Sequence, residues 1–68
     1  MDISIRGYIK NNFKDSSVDE INEAIESSIS SGAEEALPGI GVLFELLWQN
    51  SSSDEKKNFL NKIQKGLK

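Results

Sequence analysis

The chain has 68 residues, no Cys, no His and a formal net charge of −3. A chain of this length is expected to form one small domain over residues 1–68, with little core and marginal stability. The missing residue types exclude disulfide bonds and zinc sites built from Cys and His, and we expect no cofactor. We expect no signal peptide, because residues 1–5 have neither a basic n-region nor an apolar h-region. We also expect a soluble cytoplasmic protein without a membrane span, because the longest apolar run, residues 42–48, is short and is interrupted by Glu45.

Charges are segregated along the chain. Residues 15–45 contain eight acidic residues and no basic one, whereas residues 56–68 contain five Lys and no acidic residue. We expect the basic ends to lie against the acidic middle as a solvated surface, at about 0–1 kcal/mol per exposed pair.

The first predicted helix runs from about Ile3 to Phe13. Ile5, Ile9 and Phe13 recur every four residues, which places them on one face of a helix. A short strand over the alternating residues Ile3-Ser4-Ile5 is the alternative at its start.

The second predicted helix has clear boundaries. Ser17 and Glu20 form a capping box at its start, where each residue satisfies a backbone N–H of the other. Gly32 follows the apolar stripe and suits a left-handed C-terminal cap. Residues 33–36 are expected to add at most one further turn.

The third predicted helix, from about Ile40 to Asn50, is apolar nearly all round. We expect Leu37 to be extended because Pro38 follows it, and Pro38 to lead into the helix. Gly41 would allow a neighbouring backbone to approach closely. A helix of this kind belongs at the centre of a fold, so the sequence predicts an all-α bundle of three to four helices around it.

A fourth helix is predicted from a second capping box, Ser52 with Glu55, to about Gly66. Apolar residues of the last three helices and of the connection at Leu37 are expected to form the core. They are Ile25, Ile29, Leu37, Leu43, Phe44, Leu47, Phe59, Leu60 and Ile63.

The third helix also provides a candidate partner surface. Glu45 and Gln49 lie four residues apart and would mark the only solvent-exposed polar face of this helix. The neighbouring apolar residues would then be half exposed in a monomer, and a second copy or another protein would cover them. The alternative is that the first and fourth helices cover them within one chain. The candidate surface comprises Val42, Glu45, Leu46, Trp48 and Gln49.

Basic residues near both ends are candidates for nucleic-acid contact, because phosphate binding requires Lys and Arg. They are Arg6, Lys10, Lys56, Lys57, Lys62 and Lys65. The acidic middle and the net charge argue against nucleic acid as a partner.

No pattern indicates catalysis. Glu34, Glu35 and Glu45 are candidate acid–base groups, but nothing in the sequence indicates that they are buried. Gly39 and Gly41 precede a helix without the further glycines, Lys or strand of a phosphate-binding loop. We therefore expect no enzyme, no catalytic residue, no cofactor-binding residue and no metal ligand.

The run from Leu37 to Glu45, LPGIGVLFE, followed by Trp48-Gln49, resembles the central signature of the small acid-soluble spore protein I family of endospore-forming Firmicutes. The start MDISIR, the Ser31-Gly32 pair with its following acidic residues, and the C-terminal SDEK and GLK segments resemble the family as well, so the resemblance covers essentially the whole chain.

The resemblance implies a minor acid-soluble protein that is made in the forespore during sporulation and kept in the spore core. It supplies no catalytic or ligand residues, and no segment looks like the DNA-binding parts of the α/β-type spore proteins. Three hypotheses follow: a non-enzymatic spore-core protein, a DNA-associated protein using its Lys-rich terminal helices, and a homodimer or adaptor that docks through the helix at residues 40–50. The expected partners are a second copy or another spore-core protein.

Overall fold

The computed structural model describes residues 4–68, which form four α-helices and one 3₁₀ turn. The helices are α1 (Ile5–Phe13), α2 (Val18–Ser31), α3 (Leu37–Gln49) and α4 (Ser53–Leu67), and the 3₁₀ turn Glu34–Ala36 precedes α3. No strand occurs within residues 4–68. The predicted all-α bundle is confirmed.

Both predicted capping boxes are present. The Ser17 hydroxyl accepts from the Glu20 N–H at 3.2 Å, and Glu20 Oε1 accepts from the Ser17 N–H at 2.8 Å. Ser52 and Glu55 repeat the arrangement at the same distances. Gly32 closes α2 in the left-handed conformation, with φ 63°. Local side-chain chemistry therefore determines both ends of α2 and the start of α4.

The start of α1 depends on a cap that was not predicted from the sequence. The Ser4 hydroxyl accepts from the Gly7 N–H at 3.0 Å and so satisfies one of the free donors of the first turn. The signal was a Ser three residues before Gly7, without the Glu that completes a capping box. The predicted start at Ile3, and that residue's part in the alternative strand, lie outside the described residues.

The expectation that Leu37 is extended is wrong. Leu37 is helical, with φ −59° and ψ −43°, and it begins α3 directly after the 3₁₀ turn. Pro38 occupies the second helical position, where an N–H would have no acceptor within the helix. The residue before Pro is biased away from helix but not barred from it, and the preceding turn already supplies helical geometry.

The helices α1 and α3 form the main contact between elements. An added Cβ at Gly39 would lie 3.6 Å from Ile9 Cδ1 of α1, whereas one at Gly41 would have no neighbour within 4 Å. The predicted close approach is therefore at Gly39, and its assignment to Gly41 was wrong. Val42 on the same side of α3 is 6% exposed and is the only buried apolar residue between positions 4 and 68.

The predicted core is largely wrong. Phe44 and Leu47 are 40% and 46% exposed, whereas Val42, which was assigned to the partner surface, is buried. Leu47 lies five residues after Val42, about 140° around the helix, so covering one of them leaves the other open. Ile25, Leu43 and Phe59 are half-buried. The remaining members of that predicted core are exposed: Ile29, Leu37, Leu60 and Ile63.

Candidate functional site

An ion pair joins α1 to α3. Arg6 Nε donates to Glu45 Oε1 at 2.7 Å, and Arg6 Nη2 donates to Glu45 Oε2 at 2.9 Å, in a bidentate geometry. The hydrogen bonds from Arg6 hold the pKa of Glu45 below its ordinary value, and the same contact raises the pKa of Arg6. A candidate phosphate contact and a candidate partner residue are thus brought together within the chain.

Trp48 is covered by side chains on two sides. The Phe44 ring centroid lies 5.9 Å from that of Trp48 in a tilted arrangement, and Lys56 Nζ of α4 lies 5.0 Å from the Trp48 ring centroid. Both geometries are favourable, the second because the face of the indole ring attracts a cation. The ring contact lies within α3, and the Lys56 contact connects α4 to α3.

The candidate partner surface is therefore divided. Val42 is buried beside Ile5 and Arg6 of α1, and Glu45 is paired with Arg6. Leu46 and Trp48 are half-buried and Gln49 is exposed. The first and fourth helices cover part of this set, as the alternative interpretation of the sequence had it. Because of its burial, Val42 is not available to a partner.

Accessible apolar surface also lies beside Phe44. One groove runs between α2 and α3 and is lined by apolar residues alone, among them Ile21, Ile25 and Leu47. A second groove runs between α3 and α4, where Leu60 and Ile63 lie opposite Trp48. Phe44 borders both grooves, so the two form one continuous surface. We call its six principal residues the open face: Ile21, Ile25, Phe44, Leu47, Leu60 and Ile63.

The open face was not predicted from the sequence, because most of its residues were assigned to the core. The signal was present in the apolar circumference of α3, since a helix of that kind requires cover on every side. Three further helices of 9, 14 and 15 residues leave one side without cover.

The candidate phosphate contacts are also divided. Arg6 is neutralised by Glu45, and Lys10 lies on α1 near enough to contribute to the lowered pKa of Glu45. Lys56 lies over Trp48. The remaining candidates are exposed on α4: Lys57, Lys62 and Lys65.

Within residues 4–68, the basic residues of α4 form no ion pair with the acidic residues 15–45. The ion pair between Arg6 and Glu45 is the one found in the described part of the chain. The carboxylates of α2 therefore have no basic partner among those residues. The expected contact between basic ends and acidic middle is formed by α1 and not by α4.

Residues 4–68 contain no group of three or more His, Cys, Asp or Glu side chains that could hold a metal ion. Within the same range, no helix combines the length and the apolar character needed to cross a membrane.

Comparison with known proteins identifies the family. Residues 3–67 match the family described as "Small, acid-soluble spore protein I". Proteins of that name from Bacillus mycoides (strain KBAB4) and Bacillus cereus (strain G9842) are each 41% identical over 68 residues, covering 100% of this chain and 99% of the relative. A Bacillus anthracis relative (strain A0248) is 40% identical with the same coverage. No solved structure matches the chain. The match over nearly the whole length shows that the chain belongs to the small, acid-soluble spore protein I family.

Proposed function

We propose that the chain is a non-enzymatic minor protein of the spore core, made in the forespore during sporulation. The observation that carries the proposal is the family match over residues 3–67, together with relatives of nearly the same length. The printed name of those relatives associates them with spores and with acid solubility, and a chain that corresponds to them from end to end is expected to share that setting.

The placement of the carboxylates supports a non-enzymatic role. Glu34 and Glu35 are exposed, and Glu45 is held in an ion pair by Arg6. General acid–base catalysis usually depends on burial or like charges that move a pKa toward neutrality. The pKa of Glu45 is moved the other way, because Arg6 donates hydrogen bonds to its charged form. The absence of His and Cys from the sequence removes the most common catalytic base and thiol nucleophile.

The experiment is a time course of the protein in a sporulating culture. We expect antibodies against the chain to detect it in forespores and in the acid extract of broken, purified spores, and not in vegetative cells. Detection during vegetative growth combined with absence from purified spores would contradict the proposal. Spores that lack the protein, compared for resistance and outgrowth, then report what it contributes.

DNA association receives less support from the structure. Of the six candidate contacts, Arg6 and Lys56 are engaged by Glu45 and Trp48, and α2 presents an acidic face. A mobility-shift assay on mixed DNA at low and moderate salt separates the two hypotheses, because phosphate contacts weaken steeply as salt rises. We expect no retardation. Salt-sensitive retardation that is lost when Lys57, Lys62 and Lys65 are changed to Gln would favour the DNA-associated alternative.

A further inference from the structure

We propose that the open face is the interface of a homodimer, in which a second copy of the chain docks through the same residues and α2 of each chain lies along α4 of the other. This inference does not rest on the spore-core proposal. It rests on the surface area of the chain, on the continuity of the apolar surface and on the charges that border it.

The chain exposes more surface than a monomer of its mass should. The accessible area is 5888 Å² for 7.5 kDa, whereas the usual scaling gives about 4,250 Å² for a folded monomer of this size. The excess is about 1,600 Å², compared with about 800 Å² that each partner buries in a standard stable interface. A second copy that docks through a standard interface would therefore remove about half of the excess area of this chain.

Large apolar side chains contribute to the exposed surface. Ten large apolar side chains between positions 4 and 68 are at least 40% exposed, and four of them belong to the open face: Phe44, Leu47, Leu60 and Ile63. They extend over α3 and α4 and continue into the groove beside α2. A contiguous surface of this kind is rare on monomeric proteins and marks an interaction site.

Charge complementarity identifies the partner as a second copy. The helix α2 carries four carboxylates and no basic residue, and α4 carries four Lys after its acidic first turn. The ion pair found in the described part of the chain joins α1 to α3, so α2 and α4 present unpaired charges of opposite sign. These helices flank the open face on its two sides, which allows one copy to satisfy the other.

The same charges select one arrangement of the two copies. A two-fold axis that runs along α3 places α2 of one chain against α4 of its partner, with opposite charges together on both sides. A two-fold axis across α3 places α2 against α2, with four carboxylates from each chain facing one another. Like charges across an interface oppose binding, so the first arrangement is the one the charges favour.

Sedimentation of the full chain over about 1–500 µM tests the dimer, because association depends on concentration. We expect a monomer–dimer equilibrium in the wild type. Leu47→Glu, on the α3 part of the open face, should raise the dissociation constant at least about 30-fold, the effect of losing an interface hot spot of about 2 kcal/mol.

Tyr8→Glu is the matched control. It introduces the same charge at an exposed residue of α1, the helix that packs against the opposite side of α3, and it should leave association unchanged. Helical content by circular dichroism shows that each variant is folded, and Leu60→Glu on α4 provides a second open-face variant. Two results would overturn the proposal. In the first, the wild type stays monomeric at every concentration. In the second, Tyr8→Glu disrupts the dimer and both open-face variants leave it intact.

Charge reversal tests the arrangement. Glu26→Lys on α2 and Lys57→Glu on α4 should each raise the dissociation constant of the dimer by about 3–10-fold, because each replaces an attraction between opposite charges by a repulsion. The double variant should recover most of the lost affinity, since α2 and α4 then again carry opposite charges at these positions. Tighter association of Glu26→Lys alone would place α2 against α2 and overturn the proposed arrangement.

Discussion

Two glycines illustrate how residue-level consequences depend on the backbone. Gly32 ends α2 with φ 63°, a conformation that other residues reach only at a cost, because their Cβ approaches the following carbonyl oxygen. Gly41 lies in the first half of α3 in ordinary helical geometry, and an added Cβ would have no neighbour within 4 Å. The same substitution should therefore have opposite effects at the two positions.

We expect Gly32→Ala to lower the free energy of unfolding by about 1–2 kcal/mol and Gly41→Ala to raise it by about 0.5–1 kcal/mol. Urea denaturation followed by circular dichroism measures both. The two variants serve as controls for each other, since both add one methyl group at a site without a clash. Stabilisation by Gly32→Ala would show that α2 does not need its left-handed cap.

At the level of elements, α1 and α3 are joined by one apolar and one ionic contact. Ile9 lies against Gly39 at the start of α3, and Arg6 holds Glu45 two turns later. The lowered pKa of Glu45 makes the ionic contact a pH-dependent part of stability. A carboxylate with a lowered pKa stabilises the folded state above its unfolded pKa, and that contribution is lost as the pH falls through the folded value.

We expect the melting temperature to fall as the pH decreases below the ordinary pKa of a Glu side chain, because protonation of Glu45 removes its attraction to Arg6. Glu45→Gln, which cannot ionise, should melt at a lower temperature at pH 7 and should show a smaller decrease in acid. Melting curves at several pH values and low protein concentration measure this without contributions from association.

Glu34→Gln is the control for this experiment, because Glu34 is exposed and belongs to no ion pair within residues 4–68. In Glu34→Gln, the melting temperature should decrease at low pH by as much as in the wild type. Glu20 also has a lowered pKa, because the Ser17 backbone N–H donates to its carboxylate, so some acid sensitivity should persist in Glu45→Gln. If Glu34→Gln and Glu45→Gln reduced the dependence of melting temperature on pH equally, the ion pair with Arg6 would not be the cause of that dependence.

The whole molecule has more apolar surface than its own helices can cover. Small chains without disulfides or metals depend on unusually efficient helix packing or on association, and Val42 is the only apolar residue buried within positions 4–68 of this chain. A homodimer through the open face would add the missing cover, so folding and association would be coupled.

We expect the melting temperature of the wild type to rise by several degrees between about 5 µM and about 500 µM, because mass action stabilises a folded dimer relative to its unfolded chains. The melting temperature of Leu47→Glu should depend much less on protein concentration. Differential scanning calorimetry over this range measures both. A wild-type melting temperature independent of concentration would contradict coupling between folding and association.

Several features were predictable from the residues alone. Both capping boxes, the left-handed cap at Gly32 and the existence of the four helices follow from side-chain chemistry within a few positions of the chain. The central LPGIGVLFE run was sufficient to indicate the family, and the match over residues 3–67 confirmed it. These properties are local, so the sequence by itself determined them.

Only the tertiary structure decided which side of α3 is covered. A helix that is apolar nearly all round satisfies the same sequence pattern whichever face is inside. The position of α1, set by Ile9 against Gly39 and by Arg6 on Glu45, buries Val42 and leaves Phe44 and Leu47 open. Such contacts join residues about 30–40 positions apart, and periodicity within one helix contains no information about them. The secondary structure was therefore encoded locally, and the open face emerged only when the helices packed.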